Sequence, residues 1–224
     1  MKIDVLYEDN HTIAVFKPAG VLAQGDKTQD ISLLDEVKKY LKEKYHKPGN
    51  VFLGLLHRLD RPASGIMLFA KTSKGASRLS EQFRNHTIEK TYHVLVSGKP
   101  KQERGVLVNL LGKDEKLHKA KEYEDGKEAK LYYQVVQSNG TYSLLKVKID
   151  TGKFHQIRAQ LSLAGMSIVG DVKYKGEAWA NEQEIALCAN EISFVPATSN
   201  ERVNVSMQIP GEWNHCLGLS TGGA

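Results

Sequence analysis

Cysteine is scarce in this chain. Two residues, Cys188 and Cys216, cannot build a disulfide framework. No CxxC or HxxxH pair supplies the clustered ligands that a zinc site needs, so no metal is expected. Long apolar runs are missing too. None approaches the ~18 residues of a membrane-spanning helix. The opening MKIDVLYEDN is acidic by its fourth residue and does not read as a secretory signal, so the thiols read as reduced and the protein as cytoplasmic. Nucleotide and hydrolase signatures are also absent: no GxxxxGK[ST], no GxGxxG after a strand, no HExxH and no GxSxG. Cofactor-free chemistry or simple binding remains.

What is present is a soluble globular composition. The chain has 224 residues, 41% hydrophobic and 25% charged, which excludes disorder as a whole-chain description. That length suits one large domain or two small subdomains. The net charge of +5 suggests an acidic partner without deciding one, because lysines, arginines and acids are mixed along the chain.

Patterning predicts an α+β protein. Ile3–Tyr7 and Thr12–Phe16 read as a hairpin, broken after Lys17-Pro18-Ala19-Gly20. Ser32 and Asp35 form an S-x-x-D capping box ahead of a helix with Leu34, Val37, Leu41 and Tyr45 on one face. Val51–Leu56 and Gly65–Ala70 are apolar runs too short for helices, and the second has the continuous character of a strand covered on both faces. A helix over Ser73–Asn85 presents Ala76, Leu79 and Phe83, and Ile88–Val96 returns to strand. Residues 98–130 hold nine Lys/Arg and seven Asp/Glu, which predicts exposed loops around a short hairpin. Leu131–Gln137 and Tyr142–Ile149 form another hairpin, a helix covers Lys153–Ala164, and short strands follow at Ala186–Ala189, Ile192–Val195 and Val203–Ile209. Runs of strands with interspersed helices argue α+β rather than doubly wound α/β.

Three clusters could carry chemistry. In His57-Arg58-Leu59-Asp60-Arg61-Pro62-Ala63-Ser64-Gly65, one carboxylate sits between two arginines, which would keep Asp60 ionised and able to attack an electrophilic sugar carbon. The same spacing also fits a structural Asp–Arg pair, with His57 as a hydrogen-bonded loop residue. In Asp150-Thr151-Gly152-Lys153-Phe154-His155-Gln156-Ile157-Arg158, helical spacing puts Ile157, Leu161 and Ala164 on a buried face and His155, Arg158 and Ser162 on another. Arg158 would then present a guanidinium suited to a carboxylate or phosphate. In Lys90-Thr91-Tyr92, the tyrosine is either a packing residue or a ring that stacks on a base and carries a proton.

These clusters, in this order, resemble the RluA family of RNA pseudouridine synthases. The likeness begins at Tyr7-Glu8-Asp9-Asn10 and Phe16-Lys17-Pro18-Ala19-Gly20 and continues through His57-Arg58-Leu59-Asp60 to Ser64-Gly65. It then passes Lys90-Thr91-Tyr92 and Gly152-Lys153-Phe154-His155-Gln156-Ile157-Arg158, and ends at Ile168-Val169-Gly170-Asp171-Val172-Lys173-Tyr174. Ala63 stands where the family usually has threonine, and Lys153-Phe154 where it usually has Arg-Thr.

The resemblance implies a mainly antiparallel mixed sheet in two halves, with peripheral helices and a central catalytic cleft. It implies one catalytic domain over 1–217 without an S4 domain, and a frayed tail over 218–224. The implied reaction is isomerisation of uridine to pseudouridine in ribosomal or transfer RNA, with the base flipped from its stack, no cofactor, no membrane and no obligatory protein partner. Asp60 matches the catalytic aspartate, Tyr92 the tyrosine that packs on the target base, and Arg158 the basic residue that pairs with the aspartate. His57, Arg58, Arg61 and His155 are the expected RNA contacts. A non-catalytic RNA-binding factor on the same scaffold is one alternative. An aspartate-dependent nucleoside or glycoside hydrolase is another, but it would need a second carboxylate, for which only Asp150 and Asp171 are near these motifs.

Overall fold

The computed structural model describes residues 1–28, 30–179 and 181–218. In chain order the elements are β1 (Val5–Glu8), β2 (Thr12–Lys17), α1 (Leu33–Lys44), β3 (Gly54–Leu55), β4 (Ser64–Ala70), α2 (Ser73–Arg84), β5 (Glu89–Ser97), β6 (Arg104–Asp114), β7 (Lys119–Glu122), β8 (Lys127–Ser138), β9 (Tyr142–Ile149), α3 (Gln156–Leu163), β10 (Leu187–Phe194), β11 (Val203–Ser206) and α4 (Trp213–Leu217). A single 3-10 turn covers Val172–Tyr174. The fold class is α+β. The described chain divides into two compact units, Met1–Glu89 with Ala189–Met207, and Lys90–Cys188 with Gln208–Ala224. Of the tail expected to fray, Gly218 closes α4 in a left-handed conformation, and residues 219–224 lie outside the described residues.

In the first unit, β2 pairs antiparallel with both β1 and β4. Alternation along β2 and β4 feeds two separate cores. Ile13, Val15, Met67 and Phe69 pack with Leu33, Val37 and Leu41 of α1. Ala14, Ile66 and Leu68 pack with Leu79 of α2 and with Ile192, Phe194 and Val205. Every residue of β4 is buried, so this strand is covered on both faces as its composition predicts. The capping box at Ser32 forms in both directions, with Asp35 N–H donating to Ser32 Oγ and Ser32 N–H to the Asp35 carboxylate. The buried face of α1 is Leu33, Val37 and Leu41, one residue round from the expected Leu34, while Tyr45 is exposed.

Gly65 explains the close approach inside this unit. Its φ is +130°, and a Cβ there would lie 2.4 Å from both the N and the O of Ala189 on β10. Only glycine tolerates both conditions.

The second unit is more regular than its composition suggests. The stretch 98–130, expected as exposed loops around a short hairpin, contains the hairpin of β6 and β7, and its eleven-residue β6 pairs with β8 from Arg104↔Gln134 to Leu111↔Lys127. Along β6 the apolar residues Val106, Val108 and Leu110 are exposed, so apolar and polar residues do not sort onto opposite faces and the length of the strand is hidden. β8 pairs in turn with β9, β9 with β5, and β6 with β7, all antiparallel. Leu111, Ala120 and Ala129 pack against Ala159 of α3 and Tyr174. Helix α3 starts at Gln156 and buries Gln156 through Leu161, while Ala164, expected in the core, is exposed. Its buried polar residues are satisfied by the strands: Gln156 donates to the carbonyl of Lys130, and Gln160 to those of Leu107 and Ala129. Near the end of the chain, the two short strands expected at 186–195 are the single strand β10.

Gly65→Ala should destabilise the protein by at least ~1–3 kcal/mol from backbone strain alone, with the steric clash against Ala189 adding to it. A melting temperature within error of wild type would show that β4 and β10 can separate to accept a side chain.

Candidate active site

The loop that carries Asp60 joins β3 to β4 and is held from below by β2. Lys17, the last residue of β2, is 0% exposed. Its ammonium donates to the carbonyls of Pro18 at 3.0 Å, Val21 at 2.8 Å and Arg61 at 3.1 Å. Three acceptors match the three N–H donors of a protonated lysine. Burial pushes the Lys17 pKa down to about 7; the Asp60 carboxylate opposes this and Arg61 adds to it. The clasp has further strands: Gly20 N–H donates to the Arg61 carbonyl at 2.9 Å, and Arg61 Nε to the Gly20 carbonyl at 2.9 Å. A turn closed by Ala63 N–H on the Asp60 carbonyl completes the loop. The turn after β2 and the Asp60 loop, some forty residues apart in sequence, are thus one structural piece.

Of the basic residues on this loop, Arg61 is exposed and also pairs with Asp30 at 2.9 Å, and Arg58 is exposed. His57 is built into the fold. Its Nε2 accepts from Leu68 N–H at 2.9 Å, and its ring stacks on Phe83 at 5.1 Å. An Nε2 that accepts a backbone N–H is unprotonated, so in this arrangement His57 is a neutral spacer beneath β4.

The second unit holds the other residues singled out by sequence. Tyr92 lies on β5 opposite Val147 and is 6% exposed. Burial lowers the pKa of Lys90 on the same strand. Arg158, 4% exposed, sits in the first turns of α3. Its Nε and Nη2 donate to the two carboxylate oxygens of Asp171 at 2.7 and 2.8 Å, a bidentate pair with Asp171 1% exposed. Its Nη1 lies 3.1 Å from His155 Nε2, and its Cζ stands 5.1 Å from the centre of the Tyr174 ring. A guanidinium can only donate, so His155 Nε2 accepts, and the imidazole proton rests on Nδ1, 3.0 Å from the Tyr174 hydroxyl. That hydroxyl also accepts Ala120 N–H at 2.6 Å, which ties the set to β7. His155 takes a left-handed conformation at the start of α3, with φ 49° and ψ 26°, and this turns its ring towards both partners.

A family model described as RNA pseudouridylate synthase matches residues 11–163, a span that runs from β2 through α3. The chain belongs to the RluA family of RNA pseudouridine synthases. As a pseudouridine synthase it is an isomerase. Among its relatives, the ribosomal large subunit pseudouridine synthase C of Rickettsia bellii is 32% identical over 94% of this chain and 69% of its own length. Ribosomal large subunit pseudouridine synthase D of Zymomonas mobilis is 28% identical over 93% and 69%. The solved structure of human RNA pseudouridylate synthase domain containing 4 covers 98% of this chain and 95% of its own, with a TM-score of 0.79 at 21% identity, a likeness of fold.

Two residues of this synthase escape a reading of the sequence by clusters. Lys17 reads there only as part of a strand break, yet it anchors the Asp60 loop. Asp171 reads as a turn acid, yet it is the carboxylate that Arg158 grips within its own unit. The available signal is their place in the motifs Lys17-Pro18-Ala19-Gly20 and Gly170-Asp171-Val172-Lys173-Tyr174, where each charge stands beside a turn-forming proline or glycine. With Asp171 committed to Arg158 and Asp150 to the Tyr132 hydroxyl at 2.9 Å, each acid weighed as a second hydrolytic carboxylate has a structural partner. Among the described residues no group of three or more His, Cys, Asp or Glu could hold a metal ion.

Two outcomes test this construction. Between about pH 7, where folded Lys17 titrates, and 10.5, its unperturbed value, the unfolded chain holds a proton that the folded chain lacks. Lys17 therefore adds stability as pH rises through that interval and adds no slope below it. Lys17→Met should remove this slope in urea unfolding series, and an unchanged slope would locate the titration elsewhere. Asp171→Ala leaves a buried guanidinium without its carboxylate and should cost about 3–5 kcal/mol, as should Arg158→Ala. The double replacement Arg158→Met with Asp171→Leu should cost clearly less than the sum, and strict additivity in denaturant unfolding would disprove the coupling.

Proposed function

We propose that this synthase converts specific uridines of structured ribosomal RNA, and of transfer RNA stem-loops where they offer the same shape, with Asp60 as its catalytic carboxylate. The observation that carries this reading is the Lys17 clasp: its ammonium joins the Arg61 carbonyl of the Asp60 loop to two carbonyls of the turn after β2, and Arg61 and Gly20 exchange two further hydrogen bonds between the same segments. A catalytic group needs such support to keep its geometry during reaction. The names of the Rickettsia bellii and Zymomonas mobilis relatives, both ribosomal large subunit synthases, favour ribosomal RNA as the first substrate to test.

In this reading the target uridine leaves its stack at a cost of a few kcal/mol. Arg58 and Arg61, both exposed, hold phosphates or fill the vacated place. Asp60 acts at the sugar or base, the bond from C1′ to N1 breaks, the uracil turns, and C1′ bonds to C5. The hydrogen on C5 leaves as a proton, with the Tyr92 hydroxyl as its carrier, and N1 gains one. Arg158, fixed by Asp171 and His155, is assigned the role of orienting Asp60. Electrons and atoms balance without a redox partner or group donor, so the reaction requires no cofactor. The cytoplasm, where ribosomal RNA is modified, is the compartment this implies, and no helix among the described residues is long and apolar enough to cross a membrane.

Loss of the C5 hydrogen gives the test. Unmodified large-subunit ribosomal RNA, transcribed with tritium on uridine C5, should release tritium to water with the wild-type chain and not with Asp60→Asn. Tyr92→Phe should slow release with RNA affinity nearly kept, whereas Tyr92→Ala should also weaken binding by roughly 1–3 kcal/mol. Normal turnover by Asp60→Asn would end the assignment, and free uracil as product would favour a hydrolase.

A further inference from the structure

Phe154 precedes the strained His155 and is 41% exposed, although its ring is held firmly. The two rings stack with centroids 3.8 Å apart and planes 18° apart. One face of Phe154 is therefore covered by the imidazole, and its exposure is that of the other face and the ring edge. Over the same ring stands Lys113 Nζ, 5.5 Å from the centre, at the tip of the β6–β7 hairpin. Lys113 also pairs at 2.7 Å with Glu115, which is 72% exposed and so holds it only loosely. From Phe154 the contacts lead inward through His155 Nε2 to Arg158 Nη1 at 3.1 Å. An ammonium, a phenyl ring, an imidazole and the guanidinium of Arg158 thus form one line. Lys119 adds a further cation beside it, 5.6 Å over the Tyr174 ring.

An exposed phenyl ring gains nothing from water, and this one is fixed in orientation by a residue in a costly backbone conformation. A fixed aromatic ring with one flexible cation over it and a second cation close by suits a ligand that has its own flat face and a negative charge beside it. An unpaired nucleotide has both. We infer that Phe154 is a stacking platform for one unpaired base of the bound RNA, with Lys113 swinging from the ring to the neighbouring phosphate. This rests on the proposed reaction on RNA and adds a specificity element at the position where the chain departs from the family's usual threonine. Base stacking of this kind tolerates any base, so Phe154 would demand that the stacked nucleotide be unpaired rather than that it have one identity.

The test compares wild type, Phe154→Ala, Phe154→Trp and Lys113→Ala. The probes are a short fluorescein-labelled single-stranded oligouridylate and an abasic oligomer with the same backbone. Phe154→Ala should bind the oligouridylate roughly tenfold more weakly and the abasic oligomer as wild type does. Phe154→Trp should restore binding. Lys113→Ala should lower the slope of log affinity against log salt by about 0.7. Equal binding of both oligomers by all Phe154 variants overturns the platform, as does an equal loss on both, or a wild type that binds neither. With tritiated large-subunit RNA, Phe154→Ala should raise KM with kcat kept. A wild type that fails on that RNA but retains the base-dependent difference on the oligomers overturns the substrate assignment and leaves the platform standing.

Discussion

A lysine taken fully out of water must place every N–H on an acceptor or lose more than it gains. In this synthase Lys17 meets that condition with three backbone carbonyls, two from the turn that follows it and one from Arg61. The backbone beside Asp60 is tied to β2 by that requirement. Backbone carbonyls cannot reorient without moving the chain, so satisfying one ammonium fixes two loops at once. Its register opposite Gly65 then ties the clasp to the strand with cores on both faces. The depressed pKa shows how closely the arrangement is balanced, because burial nearly cancels the tendency of a lysine to stay charged at neutral pH.

The second unit solves a related problem with side chains. Arg158 is as buried as a core leucine, and its planar fork is matched by both oxygens of Asp171, with His155 on the remaining nitrogen. Lysine in its place could keep the charge but could not meet the fork or lie flat over Tyr174. Here the left-handed backbone at His155 is informative: the cap position of α3 is given to a residue whose side chain serves the guanidinium rather than the helix, and Gln156 ties down the turn before the helix by accepting from the Thr151 hydroxyl and Lys153 N–H.

Much of this is legible in the sequence, for identifiable reasons. Short apolar runs mark β2, β4, β5 and β9, continuous in β4 because both of its faces are buried and alternating in β5, and the Ser32 capping box marks the start of α1. The motifs around Asp60, Tyr92 and Arg158 stand out because loops and short helices rarely gather such residues by chance. Other features leave no such trace. β6 reads only as a short hairpin within loops because Val106 and Val108 are more than half exposed and no buried face marks its full length. α3 shows no apolar stripe because Gln156, Arg158 and Gln160 are buried by hydrogen bonding. Lys17 and Asp171 look like surface charges, since burial of a charge depends on partners far away in the chain.

The division of the first unit has a consequence for how this chain is made. The core beneath α1 is complete once residues up to Phe69 have emerged, and it can close while the ribosome is still at work. The core beneath α2 needs Ile192, Phe194 and Val205 as well as Leu79, so this side of β4 stays only partly covered through the synthesis of more than a hundred further residues. During that interval the apolar core of Ile66, Leu68 and Leu79 lacks its last strands, the kind of surface that invites wrong pairing in nascent chains. Vulnerability to misfolding in this protein is therefore concentrated in time as well as in place, and it ends when β10 arrives to lie against Gly65.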